Sequence, residues 1–373
     1  MKNKTIILLL AFVCLGFFVA ILVALARSAE SSSDKLPFDE VWTFQADDRI
    51  LATPVLVDDQ IIFRTADKIY SINALNGSVN WEIASRASST TINVNLLGKP
   101  LVANSKFLLS EEQDNSIGTY STKTGEKLWT VEGQINDINA LELMDDVMIV
   151  ARHDGNLVVY DLTSHEKLWE VALPSRSPTP VAANTEFVIS GAWHALRIYD
   201  LKDGRLINQK IYDTSSIWEI VLSGANIFVN HTKDGGDESI SSLQLDSLDE
   251  NWTFHAGKIT DPHLSLTGDY LGVFNETLLV LDPSSGNVLW EDDTNAKYSK
   301  PAFHENSVFF ISPQGWFDKK KICKAEISKG MMADCFTIGP PKVRSYLRLL
   351  GPLVTNDLLI VPQDSGIAAF TIP

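Results

Sequence analysis

The histidines and acidic residues of the chain are the side chains most suited to catalysis or metal binding. The seven histidines lie at positions 153, 165, 194, 231, 255, 263 and 304, without the close spacing of a metal site. Neither a Gly-x-Ser-x-Gly elbow nor a glycine-rich phosphate loop occurs. Asp234, Asp237 and Glu238 lack the Asp-x-Asp-x-Asp-Gly spacing of a calcium loop. The sequence therefore predicts no enzyme, no metal site and no cofactor.

The segment Ser312–Lys321, SPQGWFDKKK, is better suited to binding than to catalysis. It places two aromatic residues beside three lysines: Trp316, Phe317, Lys319, Lys320 and Lys321. Exposed aromatic side chains next to cations suit contact with a protein or a membrane surface. The alternative is that Trp316 folds back onto the domain and packs there. We regard these five residues as a candidate partner-binding site.

Two of the three cysteines, Cys323 and Cys335, are spaced for a disulfide. They lie six residues on either side of Lys329, the centre of a predicted hairpin. Residues opposite each other on paired strands are about as close as a disulfide requires. In an oxidising compartment the pair would be linked. The alternative is that they are two small buried hydrophobic residues.

The elements that would position these residues are β-hairpins that repeat along the chain. The clearest is Leu281–Trp290, LDPSSGNVLW: a strand, a Pro-Ser-Ser-Gly turn and an outgoing strand with a tryptophan four residues after the glycine. The repeated tryptophans are Trp42, Trp81, Trp129, Trp169, Trp252 and Trp290; Asn208 and Asp334 replace the tryptophan in two further copies. His165 and Leu248 occupy the glycine position in two copies. Successive tryptophan positions of the repeat are 38 to 48 residues apart, a spacing typical of propeller blades with four short strands.

This repeat resembles the tryptophan-docking motif of the quinoprotein (PQQ-like) β-propellers, over residues 38–373. The resemblance implies an all-β, eight-bladed propeller with four-stranded antiparallel blades, in which each indole wedges against the next blade. Asn208 and Asp334 would then mark weaker blade contacts. Quinoprotein dehydrogenases also carry adjacent cysteines, which this chain lacks, so the resemblance implies the fold without the cofactor. The chain is also similar to the propeller proteins of the bacterial outer-membrane assembly machinery, which implies a non-catalytic role.

The two ends of this region predict how the ring closes. Pro352–Pro373 supplies only three strands. Val41–Gln45 is a strand with no hairpin before it, and Trp42 stands in the repeat register. We therefore expect the N-terminal strand to complete the eighth blade, because a closed ring removes the open sheet edges that promote aggregation.

The N-terminus predicts export. Lys2 and Lys4 precede an apolar run, Ile6–Ala26, which as a helix would span about 30 Å, the thickness of a bilayer core. Residues 1–29 are expected to be an uncleaved signal anchor; the alternative is a signal peptide cleaved after Ala24-Leu25-Ala26. Residues 30–37 form a polar tether, and Cys14 does not sit in a lipobox. The domain is therefore expected outside the cytoplasm, anchored to the cytoplasmic membrane, or secreted or periplasmic after cleavage.

Charge and loop length indicate where a partner binds. The formal net charge of −16 argues against nucleic acid as a partner. Three segments account for the longest repeat intervals: Ala84–Lys99, His231–Glu238 and Ser312–Lys321. The first is a predicted connection between blades and the others join the second and third strands of a blade, so alternating strand direction places all three at one face. Neutral drift in loop length is the alternative reading.

We therefore expect a non-catalytic, extracytoplasmic protein-binding scaffold of the cell envelope. Its protein partners would bind at the loop-bearing face, and the N-terminal helix would reach the membrane if it is not cleaved. The alternatives are a PQQ-dependent oxidoreductase and an extracytoplasmic ligand sensor.

Overall fold

The computed structural model describes most of the chain from Phe38 onward. The described residues are 38–51, 53–85, 101–112, 114, 116–131, 138–173, 180–192, 194–212, 216–232, 238–257, 263–274, 277–292, 299–313, 320–330, 334–337 and 350–372. The predicted helix within residues 1–29 and the tether of residues 30–37 lie outside them. Within the described ranges, no helix is long and apolar enough to span a membrane.

The first strand, β1 (Glu40–Gln45), is followed by blades of four consecutive strands, named A to D in chain order. Blade 1 comprises β2 (Val55–Val57), β3 (Gln60–Arg64), β4 (Lys68–Asn73) and β5 (Val79–Ala84). Blade 2 comprises β6 (Val102–Ala103), β7 (Phe107–Glu111), β8 (Ile117–Ser121) and β9 (Lys127–Val131). Blade 3 comprises β10 (Ile138–Met144), β11 (Val147–Arg152), β12 (Asn156–Asp161) and β13 (Glu166–Ala172). Blade 4 comprises β14 (Val181–Ala183), β15 (Phe187–Ala192), β16 (Ala195–Asp200) and β17 (Leu206–Ile211).

The second half of the ring repeats this plan. Blade 5 comprises β18 (Ser216–Ser223), β19 (Asn226–Thr232), β20 (Glu238–Gln244) and β21 (Glu250–Gly257). Blade 6 comprises β22 (His263–Thr267), β23 (Tyr270–Phe274), β24 (Leu278–Leu281) and β25 (Val288–Asp292). Blade 7 comprises β26 (Ala302–His304), β27 (Ser307–Pro313), β28 (Lys320–Glu326) and β29 (Asp334–Thr337), with a 3₁₀ turn at Ile327–Lys329. Blade 8 comprises β30 (Leu353–Val354), β31 (Leu358–Pro362) and β32 (Gly366–Thr371).

The ring closes with strands from both ends of the described chain, as predicted. Strand β1 pairs antiparallel with β32 and becomes the D strand of blade 8, so all eight sheets have four strands. Gln45 adds side-chain hydrogen bonds of 2.7 Å to the carbonyl and hydroxyl oxygens of Ser365. The prediction of an all-β, eight-bladed propeller closed by an N-terminal strand is confirmed.

The hydrophobic core lies between the blades rather than at one centre. Each buried cluster combines residues of two consecutive blades, and one such cluster joins blade 8 to blade 1 through Trp42, Ile360, Ile61 and Phe63. The A strands of neighbouring blades contact one another, so they form the inner ring and the D strands the outer rim. Burial of apolar area between blades is therefore what holds the ring together.

Four of the repeated tryptophans lie over the glycine of the next blade's C–D turn. Added Cβ atoms at Gly77, Gly125, Gly204 and Gly286 would come within 2.6–2.7 Å of the indoles of Trp42, Trp81, Trp169 and Trp252, respectively. Each of these glycines also has a positive φ of about 71–72°. The indole Nε1 donates to the carbonyl oxygen three residues before the glycine, as from Trp169 to Leu201 at 2.8 Å. Glycine is required twice over, for backbone conformation and for space.

A β-bulge directs these indoles toward the neighbouring blade. In seven blades the D strand has one extra, unpaired residue directly before the position that the repeated tryptophan occupies. For example, Ser71 pairs with Trp81 and Ile72 with Val79, which leaves Asn80 unpaired. A bulge increases local twist and re-aims the following side chain. The glycine-to-tryptophan spacing in the sequence therefore encodes a turn followed by a bulge.

Two turns adopt the same backbone conformation without glycine. His165 and Leu248 both have a φ of 61°. The imidazole of His165 stacks on Trp129 with ring centroids 5.0 Å apart and planes 9° apart. Leu248 is 4% exposed and packs between blades 4 and 5. Each residue offsets part of its backbone strain through contacts with the preceding blade.

Candidate functional site

The two ends of the propeller carry different connections. The B–C turns and the D–A connections lie at one end, which we call the loop-bearing end, and the A–B and C–D turns lie at the other, which we call the turn end. The three long segments predicted from the sequence join β5 to β6, β19 to β20 and β27 to β28. All three therefore connect strands at the loop-bearing end.

Two of these loops are shorter than the sequence suggested, because their flanking strands continue farther. Pro313 pairs with Lys320, and Ser312 with Lys321, so these four residues belong to β27 and β28. Thr232 likewise pairs with Glu238. Lys321 is partly exposed within β28 rather than in a loop. Of the candidate binding residues, Trp316, Phe317 and Lys319 lie outside the described part of the chain.

The two ends of the propeller differ in their exposed apolar side chains. Eleven large hydrophobic residues are exposed among the described residues, and nine of them lie at the turn end, in C–D turns or at the start of D strands: Val41, Leu75, Val79, Leu128, Leu168, Leu206, Ile207, Val288 and Leu289. The other two are Ile211, 58% exposed, and Trp218, 44% exposed. Both lie at the loop-bearing end, on either side of the connection between blades 4 and 5.

Trp218 is held in its exposed position by a bulge and two hydrogen bonds. Ile217 pairs with His231 and Glu219 with Asn230, so Trp218 is the extra residue of the A strand. The indole Nε1 donates to Thr232 Oγ1 at 2.5 Å, and Thr232 Oγ1 donates to Glu238 Oε1 at 2.9 Å. Thr232 and Glu238 lie on either side of the B–C loop of blade 5.

The residues around Trp218 are fixed by contacts with the adjacent blades. Glu219 Oε2 accepts a 2.8 Å hydrogen bond from the backbone N–H of Leu264 and lies 3.5 Å from Nδ1 of His263, both in blade 6. On the other side, Ile217 is 2% exposed and packs against blade 4. The exposed indole therefore stands between two anchored neighbours.

A buried arginine links blades 1 and 2 at the same end. Arg64, 2% exposed, donates from Nη1 to Ser110 Oγ at 2.6 Å and to the Glu111 carbonyl at 2.8 Å. Burial lowers the pKa of Arg64, while Coulombic interactions with Tyr120, Glu111 and Glu112 act in the opposite direction. This cross-link ties the end of the B strand of blade 1, β3, to the end of the B strand of blade 2, β7.

An open groove of about 610 Å³ lies beside this cross-link. Its lining comprises Ile83, Ala84, Ser85, Glu112, Asp114, Tyr120, Gly125 and Lys127. The Tyr120 hydroxyl donates to Glu112, whose other oxygen lies 2.9 Å from Lys127 Nζ. Burial, followed by the bond to Glu112, raises the pKa of Tyr120. The polar side chains of the groove thus pair largely with one another. No group of three His, Cys, Asp or Glu side chains among the described residues could hold a metal ion.

Cys323 and Cys335 are directly paired across β28 and β29. Their Cα atoms are 4.1 Å apart and their sulfurs are joined at 2.02 Å. Cys323 is fully buried between blades 6 and 7, whereas Cys335 is exposed. The bond ties the short D strand of blade 7 to its C strand.

Comparison with known proteins places this geometry in a family. The family model described as outer membrane protein assembly factor BamB matches residues 37–210 and 113–329. The chain belongs to this family. That membership confirms the PQQ-like repeat that the sequence predicted. The propeller is therefore of the BamB type, a type whose curated relatives are named as assembly factors rather than as enzymes.

Individual members of the BamB family are distant in sequence. BamB of Taylorella asinigenitalis is 24% identical over 180 residues, which cover 45% of this chain and 47% of that protein. BamB of Shewanella oneidensis is 21% identical over 272 residues, covering 66% and 64%. The chain thus spans about half to two-thirds of these relatives. The crystal structure of BamB from Moraxella catarrhalis has a TM-score of 0.64 at 11% identity, covering 90% of this chain and all of that one. This likeness shows the fold.

Sequence reasoning found the repeated tryptophans but not Trp218. The repeat register excludes Trp218, because it lies in an A strand and not in a C–D hairpin. Its bulge depends on pairing between β18 and β19, which the sequence pattern does not reveal. The sequence offered one signal for Trp218, namely that it lies outside the repeat. Six of the nine tryptophans occupy the repeat position, and the three that do not are Trp193, Trp218 and Trp316.

Proposed function

We propose that this protein is a non-catalytic protein-binding scaffold of the bacterial cell envelope, whose partners bind at the loop-bearing end. One observation carries the proposal: a rigid closed ring places all three long connections at one end, together with a fixed, exposed tryptophan. Binding residues on rigid scaffolds tend to lie on such connections. The curated relatives are named outer membrane protein assembly factors, which supports a role in assembling envelope proteins.

We also propose that the propeller lies outside the cytoplasm, with residues 38–373 as the folded domain. The apolar run Ile6–Ala26 behind Lys2 and Lys4 supports export, either with residues 1–29 retained as an anchor in the cytoplasmic membrane or with cleavage near Ala26. The tether of residues 30–37 joins the propeller at the start of β1, which is at the turn end. Mass spectrometry of the mature N-terminus separates anchor from cleaved peptide.

Site-specific photocrosslinking in cells tests the binding face. A photoreactive amino acid would replace Ile211 or Lys321 at the loop-bearing end, and Leu128 or Leu168 at the turn end as matched exposed controls. We expect discrete protein adducts from the first pair and not from the second. Adducts from the turn end alone, or from neither end, would contradict the proposal.

A further inference from the structure

Trp218 and Ile211 are exposed apolar residues on either side of the connection between blades 4 and 5, and we call this pair the junction patch. Tyr212, the residue after Ile211, has its ring centroid 5.1 Å from that of His231, and His231 pairs with Ile217, the residue before Trp218. The two exposed residues therefore lie on either side of one packed joint. They are the only large hydrophobic residues exposed at the loop-bearing end among the described positions.

Trp218 is more exposed than most of the repeated tryptophans. The repeated tryptophans Trp42, Trp81, Trp169 and Trp290 are all at most 9% exposed, because they fill the spaces between blades. Trp218 is 44% exposed, yet its indole is oriented by Thr232 and its backbone by a bulge. A side chain already held in one orientation loses little entropy on binding, which is the property of an interface anchor.

The charge beside the patch indicates what it would bind. Glu219, the residue after Trp218, is 25% exposed and held in place by blade 6. The chain as a whole carries a formal charge of −16, which disfavours a second copy or a nucleic acid. A cation adjacent to an apolar side chain would match both features, since arginine and lysine bind over indole faces and beside carboxylates.

We propose that the junction patch is an anchor site for an extended segment of a partner protein that carries an apolar side chain next to arginine or lysine. The proposal rests on the scaffold function above and names the residues and partner chemistry within it. Trp218 and Ile211 receive the apolar side chain. Glu219 and the face of the Trp218 indole receive the cation, while Thr232 keeps the indole in position.

Binding of defined peptides to the purified full-length chain tests this proposal. The probes are two fluorescein-labelled 12-residue peptides with the same leucine and phenylalanine core, flanked by arginines in one and glutamates in the other. Fluorescence anisotropy should show saturable binding of the arginine peptide, and affinity at least about 10-fold weaker for the glutamate peptide. Trp218→Ala should weaken binding of the arginine peptide about 10-fold to 100-fold.

Three further variants separate anchoring from a general effect on the fold. Trp218→Phe keeps an aromatic anchor and should restore most of the affinity. Thr232→Val removes the bond that orients the indole, so it should weaken binding less than Trp218→Ala does. Leu168→Ala, at an equally exposed residue of the turn end, should leave binding unchanged. Thermal unfolding of each variant checks that the fold is intact.

Several outcomes would overturn the junction patch as the anchor: no saturable binding, equal binding of both peptides, or wild-type affinity in Trp218→Ala. These outcomes are distinct from failure of the scaffold function. If partners still crosslink from Ile211 or Lys321 while Trp218→Ala has no effect, the scaffold proposal stands and the anchor lies elsewhere. If crosslinks come only from the turn end, the scaffold proposal itself is wrong.

Discussion

The contact between Trp169 and Gly204 allows the energy of blade docking to be measured with a matched control. Gly204 has a φ of 71°, and an added Cβ would lie 2.6 Å from Trp169 Cδ2. Gly224 also has a positive φ, 55°, but an added Cβ would have no heavy atom within 4 Å. Alanine at either position incurs the backbone cost of the left-handed conformation, whereas only Gly204→Ala also forces the indole out of place.

The two costs can be estimated separately. An L-residue in the left-handed region costs about 1–2 kcal/mol, which is the whole effect expected for Gly224→Ala. Overpacking a filled site costs about 1–3 kcal/mol more, so Gly204→Ala should lower the free energy of unfolding by about 2–5 kcal/mol. Equilibrium urea unfolding, followed by circular dichroism, measures both values on the same chain.

A double-mutant cycle identifies the cause of the difference. In a Trp169→Ala background the obstructing indole is absent, so Gly204→Ala should cost no more than Gly224→Ala does. The coupling energy between positions 169 and 204 is then about 1–3 kcal/mol. Equal costs for the two glycine variants in the wild-type background, or additive effects in the cycle, would refute the docking argument.

Three other predictions concern closure, the disulfide and pH. Deleting Pro37–Asp47 removes β1 and leaves blade 8 with an open edge, so we expect aggregation or a large fall in Tm; unchanged stability would contradict closure by β1. Cys335→Ser, at the exposed end of the Cys323–Cys335 bond, should destabilise the oxidised chain by about 2–4 kcal/mol but not the reduced one. Two free thiols outside the N-terminal segment, titrated in denatured, non-reduced chain, would exclude the bond. Burial raises the pKa of Glu142 from 4.5 to about 7, although a backbone hydrogen bond from Leu143 and the charge of Lys300 act to lower it. Between these two pH values the folded state therefore holds a proton that the unfolded chain releases. Stability should therefore fall as pH rises from about 4.5 to 7, and Glu142→Gln should flatten this slope; an unchanged slope would contradict it.

The blades could be predicted from sequence because each leaves a local signal. A glycine at positive φ, a bulge and an indole lie within ten residues of one another, as from Leu281 to Trp290. Closure could be predicted as well, since the strand count left Val41–Gln45 and the C-terminal strands each without a partner. The first inference depends on short-range spacing, and the second on a count of strands that are each recognised locally.

The loop-bearing end was harder to predict because it depends on pairing across strands. His231 and Lys321 resembled loop residues by composition, yet their strands continue into the loops through pairs such as Thr232 with Glu238. The bulge at Trp218 likewise follows from the register between β18 and β19. Nothing in the spacing of Trp218 to its neighbours in the chain indicates that register.

The two repeats that lack the tryptophan lack it for different physical reasons. Between blades 4 and 5 the large and the small residue of the repeat have changed sides. Asn208 of blade 4 replaces the indole, and Leu248 of blade 5, 4% exposed, replaces the glycine and fills the space between the blades. Asn208 Nδ2 keeps a 3.2 Å bond to the carbonyl of Asp246 across it. Asp334 precedes blade 8, whose C and D strands, β32 and β1, come from opposite ends of the chain. Blade 8 therefore has no C–D turn between consecutive strands. A tryptophan at position 334 would have no such turn to cover, whereas the next blade supplies one at every other repeat position.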